Sequence, residues 1–299
     1  MERLQFLWSV LRSTVSEALE DNLLRLSAAL SYYAIFSLAP LLLIAVSVAG
    51  LVFGADAASG VLADELTASM GKPAAETVQE LIRNSRRPAD NILAAVVGVA
   101  MLLFGGSGVF LQLQDALNTV WGLRTREGSG IRGMIRNRLL SFSMVLGGGF
   151  LLLVSLGLST ALHAANSWIA HVAPLHPVVW SLLGSAASFL VITLLFATIL
   201  RVLPDADIAW KDVWLGAVAT SLLFSLGEYV LSWYLGREAT SSSYGSAGAL
   251  VLILLWVYYS SIILLVGAEF TQVLASARGR EISPTDRAVR VEVSVVERA

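Results

Sequence analysis

Residues 249–274 read ALVLILLWVYYSSIILLVGAEFTQVL, an apolar run broken by a few polar groups and one carboxylate, Glu269. A run of about 20 apolar residues crosses the hydrocarbon core of a bilayer as an α-helix. Comparable runs precede it at Leu26–Phe53, Ile92–Leu113, Leu139–Leu162, Val178–Leu203 and Val213–Leu235. A helix satisfies its own backbone hydrogen bonds, which lipid cannot do for it. The chain is therefore expected to be an all-α, polytopic membrane protein with six transmembrane helices between residues 23 and 277. Charged residues make up 14% of the chain, against about 25% in a soluble domain. With a mean hydropathy of +0.74, so much apolar surface cannot be hidden in water.

Lys and Arg set the orientation. Arg3, Arg12 and Arg25 precede the first span; Arg124, Arg126, Arg132, Arg136 and Arg138 lie between the second and third. Arg201 and Lys211 flank the fourth loop, and Arg278, Arg280, Arg287, Arg290 and Arg298 follow the last span. The opposite side has only Lys72, Arg83, Arg86, Arg87 and Arg237. The positive-inside rule puts both termini in the cytoplasm. The N-terminal segment has acidic residues and no continuous apolar core, so the first span is expected to act as an uncleaved insertion signal. There are no cysteines, which excludes disulfides, thiolate catalysis and Cys-ligated metal.

Residues 1–22 place Leu4, Leu7, Trp8, Leu11, Val15 and Leu19 at helical spacing, as in an amphipathic helix lying on the inner membrane surface. The first outer loop, Gly54–Asn91, is long enough for a short helical hairpin, its helices separated at Gly71 and Pro73. The basic loop Gln114–Arg138 contains a G-x-G-x-x-G at Gly128, Gly130 and Gly133, but a membrane helix precedes it rather than a strand. Contact with lipid headgroups is the expected role of this loop. His163, His171 and His176 sit in a Pro- and Trp-bearing outer loop too sparse for a zinc site. No metal or other cofactor is expected. Residues 278–299 are charged and expected to be a disordered cytoplasmic tail, although VRVEVSVV alternates well enough to pair as a strand.

Ionisable groups within a membrane are costly, so they are candidates for function. Arg25, Asp115, Arg201 and Glu269 fall at the cytoplasmic ends of their spans, where Arg25–Glu269 and Arg201–Asp115 are possible pairs. They form either a structural ion network or a cytoplasmic gate. Ser221, Ser225, Glu228 and Ser232 share one face of the fifth span, and that stripe either meets water or glues helices together. Tyr32 of the first span and Tyr258 of the sixth add polar content, and Pro40 is expected to kink the first span. Gly105, Gly106 and Gly108 in the second span and Gly147, Gly148 and Gly149 in the third suit close helix packing. A helix broken at Gly105–Gly108 is the alternative.

Three stretches carry a family resemblance. They are SAALSYYAIFSLAPLLLIAVSVAGLVFG (27–54), VLPDADIAWKDVWLGAVATSLLF (202–224) and YGSAGALVLILLWVYYSSIILLVGAEFTQVL (244–274). The chain resembles the YihY/virulence factor BrkB family of bacterial inner-membrane proteins over roughly Asn22–Leu274. The resemblance implies six transmembrane helices and location in the bacterial inner membrane, and it implies no catalytic role for any residue. The family has also carried a ribonuclease label. RNA hydrolysis usually needs a metal-binding cluster or a His acid/base pair beside a basic groove. The basic loop has Asp115 and Glu127 but no His.

The expected function is that of a non-enzymatic, transporter-like membrane protein. A small solute, ion or lipid component would cross along spans one, five and six. The alternatives are a non-conducting structural or partner-binding protein and, remotely, a membrane-associated tRNA-processing ribonuclease. Membrane lipids are expected partners, with a solute or protein partner unidentified and no nucleic acid.

Overall fold

The computed structural model describes residues 2–37, 67, 75–77, 79–80, 108–126, 177–238, 245–280 and 282–291. The third expected span, most of the outer hairpin, the histidine loop, Pro40, Gly105, Gly106, the triple glycine and the G-x-G-x-x-G all lie outside those residues.

The chain begins with α1 (Glu2–Glu20) and turns at once into α2 (Leu23–Ser37). The joint is Asn22, whose φ of 55° is left-handed, a conformation Asn tolerates better than most residues. Its carbonyl accepts from the Arg25 and Leu26 amides, starting α2. A helix over 108–120, α3, packs at Gly108 against Tyr33 and Ser37 of α2. It ends at Trp121 and Gly122 and leads into β1 (Leu123–Thr125). Then follow α4 (Pro177–Val202), β2 (Ala206–Asp207), α5 (Trp210–Glu238), α6 (Gly245–Ala277), β3 (Ser283–Pro284) and β4 (Ala288–Arg290).

Helices α4, α5 and α6 match the fourth, fifth and sixth apolar runs. Their stretches Ser185–Val202, Trp210–Val230 and Leu250–Ala277 are long and apolar enough to cross a membrane. Only 22% of the first and 33% of the other two is buried inside the molecule. Leu190, Leu194, Leu222, Leu226, Tyr229 and Val251 are among the large side chains left uncovered. Water would penalise that surface and lipid does not.

Helices α5 and α6 run antiparallel along a seam of small residues. Thr271 sits against Gly216, Thr220 against Gly267, and the Tyr259 hydroxyl against Gly227. The two threonines are fully buried and each donates to the carbonyl four residues back, Thr220 to Gly216 and Thr271 to Gly267, both at 2.7 Å. Small residues allow this closeness, which supplies dispersion where lipid removes the hydrophobic drive. Phe196 of α4, Phe224 of α5 and Trp256 of α6 then form an edge-to-face series with centroids 5.5 and 6.2 Å apart.

The tail departs from the expected disorder. β4 pairs antiparallel with β1 and β3 with β2, so residues 283–290 are tied to the ends of α3 and α4. The connection begins at a capped helix end. Gly279 takes φ 68°, its amide donates to Ser276, and the Arg280 amide donates to Ala275. This is a Schellman cap, in which a left-handed glycine ends the helix and satisfies its last carbonyls.

Candidate functional site

Glu269 lies near the end of α6 and is fully buried, with neither carboxyl oxygen meeting a donor. The neighbouring ionisable group is Asp21, in the joint between α1 and α2. A hydrogen bond between two carboxyls requires a proton on one of them; with both ionised, each lacks a donor. Asp21 titrates above the ordinary carboxylate value. Burial is the main cause, the hydrogen bond to Glu269 works the other way, and the charges of Glu17 and Glu20 add to the rise. Helix α1 brings this group to α6 by docking there, and Val10 and Thr14 are its buried side chains. Its apolar stripe is turned outward instead, with Trp8 at 70% and Leu19 at 69% exposure. Ser27 Oγ in α2 and Gln272 Oε1, one turn beyond Glu269, are also buried without partners.

The expected charge cluster does not assemble as pairs. Arg25 is exposed and does not reach Glu269. Helix α2 buries Leu23, Leu26, Ser27 and Leu30, and helical geometry puts position 25 on the other side. Arg201 pairs with Asp207 at 2.7 Å rather than with Asp115, and its guanidinium lies 5.9 Å from the Trp210 ring. Asp115 is on the exposed face of α3. The Arg201–Asp207 pair is itself largely solvated, which limits it to about 0–1 kcal/mol.

Two buried carboxylates missed by the sequence reading hold this end of the bundle together. Asp212, in the first turn of α5 and 1% exposed on its side chain, accepts from Arg278 at 3.1 Å and Arg280 at 2.7 Å. Asp205 is held by Asn118 from α3. The Asp205 amide donates to Asn118 Oδ1 at 2.9 Å, and Asn118 Nδ2 donates to Asp205 Oδ2 at 3.1 Å. Thr125 Oγ1 donates to the same carboxylate at 3.3 Å, and the Thr285 amide reaches the Asp205 carbonyl at 3.0 Å. One residue thus joins α3, β1, the α4–α5 connection and the tail. Asn118→Ala removes half of these bonds from a buried acid. The expected cost is about 2–3 kcal/mol, read as a lower thermal midpoint in detergent. An unchanged midpoint would mean that water replaces Asn118 at no loss.

The stripe on α5 divides. Ser221 is fully buried and donates to the Ala217 carbonyl at 2.8 Å, so its hydroxyl is satisfied within its own helix. Ser225 and Glu228 are half-buried, and Glu228 has an interaction partner. Ser232 belongs to α5, and its side chain lies outside the described set. Tyr258 is half-buried on α6. Tyr32 is 60% exposed and meets Tyr33 and Phe36 edge-on. It stands on an outward face of α2. No group of three or more His, Cys, Asp or Glu placed to hold a metal occurs among the described residues.

Membrane-length helices with a carboxyl group buried at the end of one of them define a helical membrane protein. The sequence model of the virulence factor BrkB family matches residues 14–292, and the chain belongs to that family. Its relatives include a UPF0761 membrane protein of Nitrosospira multiformis, 25% identical over 272 residues, covering 88% of this chain and 60% of the relative. One of Ralstonia nicotianae is 24% identical, covering 89% of this chain and 59% of the relative. One of Mannheimia succiniciproducens is 25% identical and covers 87% of each. The chain thus spans about three fifths of the length of the first two. No solved structure matches the chain.

Proposed function

We propose that this membrane protein is transporter-like. In this reading, six spans with both termini in the cytoplasm sit in a bacterial inner membrane. A small solute, ion or lipid component crosses along the first, fifth and sixth spans. The observation that carries the reading is Glu269, a fully buried carboxyl without a donor, beside Asp21. An ionisable group kept in such a place is expensive and marks ion or proton pathways. A shared proton would close the cytoplasmic end by joining α1 to α6, and its loss would free them. The half-buried Ser225 and Glu228 supply polar groups toward the other end.

A non-conducting, partner-binding role is the second reading, and the buried, self-satisfied Ser221 favours it. The relatives' names carry no catalytic activity, in keeping with a non-enzyme. The absence of cysteines permits a direct test. Ser225→Cys gives the chain a single thiol, and a membrane-impermeant maleimide is applied to each side of sealed vesicles. Labelling from at least one side is the expected result, and the reactive side shows which way the path opens. A folded protein that labels at a loop control but never at Ser225→Cys would sink the transport reading.

A further inference from the structure

The tail lines an open cavity of about 520 Å³ between the ends of α3 and α6. Trp121 and Gly122 come from the end of α3, Ser276 and Arg280 from the end of α6, and Arg290 from β4. No acidic side chain is among the described residues that line it. Both arginines are fixed before any ligand arrives. Arg280 Nη1 donates to Asp212 at 2.7 Å, and Arg290 Nη2 donates to the Ile282 carbonyl at 2.7 Å. A guanidinium has five N–H donors, and each of these bonds uses one nitrogen. Asp212 balances one of the two charges on Arg278 and Arg280. Arg290 adds another, so positive charge is in surplus among these described residues.

Helix C-termini ordinarily disfavour anions. Here the Schellman cap at Gly279 occupies the Ala275 and Ser276 carbonyls. Gly122 and Gly279 also have nothing within 4 Å of where a Cβ would stand, so the backbone leaves the entrance open.

We propose that this cavity binds a phosphate group, carried either by an anionic phospholipid headgroup or by a soluble phosphate compound. Two guanidinium forks held in place match phosphate oxygens in geometry and charge. The volume falls within the range of small-ligand sites. The site goes beyond the transport reading and stands whether or not the chain conducts.

The test is thermal unfolding of the full chain in phosphatidylcholine nanodiscs, with inorganic phosphate titrated against chloride at matched ionic strength. A parallel arm replaces part of the phosphatidylcholine with phosphatidylglycerol. Stabilisation by inorganic phosphate identifies a soluble ligand class, and stabilisation by phosphatidylglycerol alone identifies the headgroup. Arg290→Gln is expected to weaken the response roughly tenfold or more, the scale of one charge-assisted hydrogen bond, and Arg290→Lys to retain part of it. Ser276→Glu, at an exposed lining position, reads the same site without removing an arginine and is expected to suppress the response. No stabilisation of the wild type in either arm overturns the proposal. So does a wild-type response that survives both Arg290→Gln and Ser276→Glu.

Discussion

Gly267→Leu is expected to abolish the monodisperse folded protein. A Cβ built at Gly267 runs into Thr220 Oγ1, with the threonine Cβ 2.9 Å and Cγ2 3.1 Å away. Thr220 is fully buried and its hydroxyl is committed to the Gly216 carbonyl, so it has no free rotamer to yield into. The reciprocal contact, Thr271 on Gly216, prevents the helices from shifting along each other to make room. Overpacking of a tight core costs about 1–3 kcal/mol for small additions. That range is the expectation for Gly267→Ala, and a leucine at a backbone contact exceeds it. Thr220→Ala should recover part of the Gly267→Ala loss, because it removes the overlapping oxygen. The measurement is size-exclusion profile and thermal midpoint in one detergent for all four proteins. A Gly267→Leu protein that elutes and melts as wild type would show that α5 and α6 do not approach as described.

The pattern that makes this seam was only partly legible. Hydropathy located α4, α5 and α6, because the 3.6-residue period and ~20-residue length are properties of the residues alone. The glycines it marked for packing lie in the second and third spans, and those of this seam, Gly216, Gly227 and Gly267, were not among them. The pairing of Gly216 with Thr271 depends on the register of two helices, and nothing local specifies that. The same limit appears in α1. Its periodicity was legible as an amphipathic helix, yet the structure buries Val10 and Thr14 and leaves Trp8, Leu11, Val15 and Leu19 of the apolar stripe exposed. The alternation of VRVEVSVV pointed to β4, but the other short strands escaped for another reason. Two or three residues are too few to show a period of two, and Ala206–Asp207 and Ser283–Pro284 become strands only by meeting each other.

The candidate site shows the same division. Glu269 was visible as a carboxylate in an apolar run, but its neighbour was not. Shared depth at the cytoplasmic ends of the spans offered Arg25 as a possible partner, whereas the left-handed Asn22 redirects the chain and Asp21 neighbours Glu269. Asp205 and Asp212 look like ordinary loop acids in VLPDADIAWKD. Partners far away in sequence hold them: Asn118, Thr125 and the tail at Asp205, and the tail arginines at Asp212. Ser221 fitted a polar stripe by spacing, but spacing is blind to whether a hydroxyl bonds to its own helix.

Glu269→Gln is expected to leave the bundle folded and to remove the pH dependence of α1 docking. Asp21 titrates above its ordinary value of 3.8, first because docking buries it. A group whose pKa is raised by folding contributes its stabilisation fully below the unfolded value and loses it as pH rises through the folded one. Docking should therefore be tightest in acid and loosen as pH rises. Glu17 and Glu20 of α1 act in the same sense by adding negative charge beside it, whereas the hydrogen bond to Glu269 of α6 works the other way and lasts only while a proton is shared. Arg12 and Arg25 are exposed and do not neutralise the pair. A glutamine at 269 carries its own N–H donors, so Asp21 keeps a partner when ionised. Thr14→Cys, at a buried position of α1, reports the opening, and Ser9→Cys, at an exposed one, corrects for thiol ionisation. The Thr14-to-Ser9 labelling ratio should climb several-fold with pH in the otherwise wild-type chain and stay flat with Glu269→Gln. Asp21→Asn should flatten it equally from the other side of the pair. A flat ratio without either change would mean that no proton joins α1 to α6. An undiminished slope in Glu269→Gln would place the responsible group elsewhere.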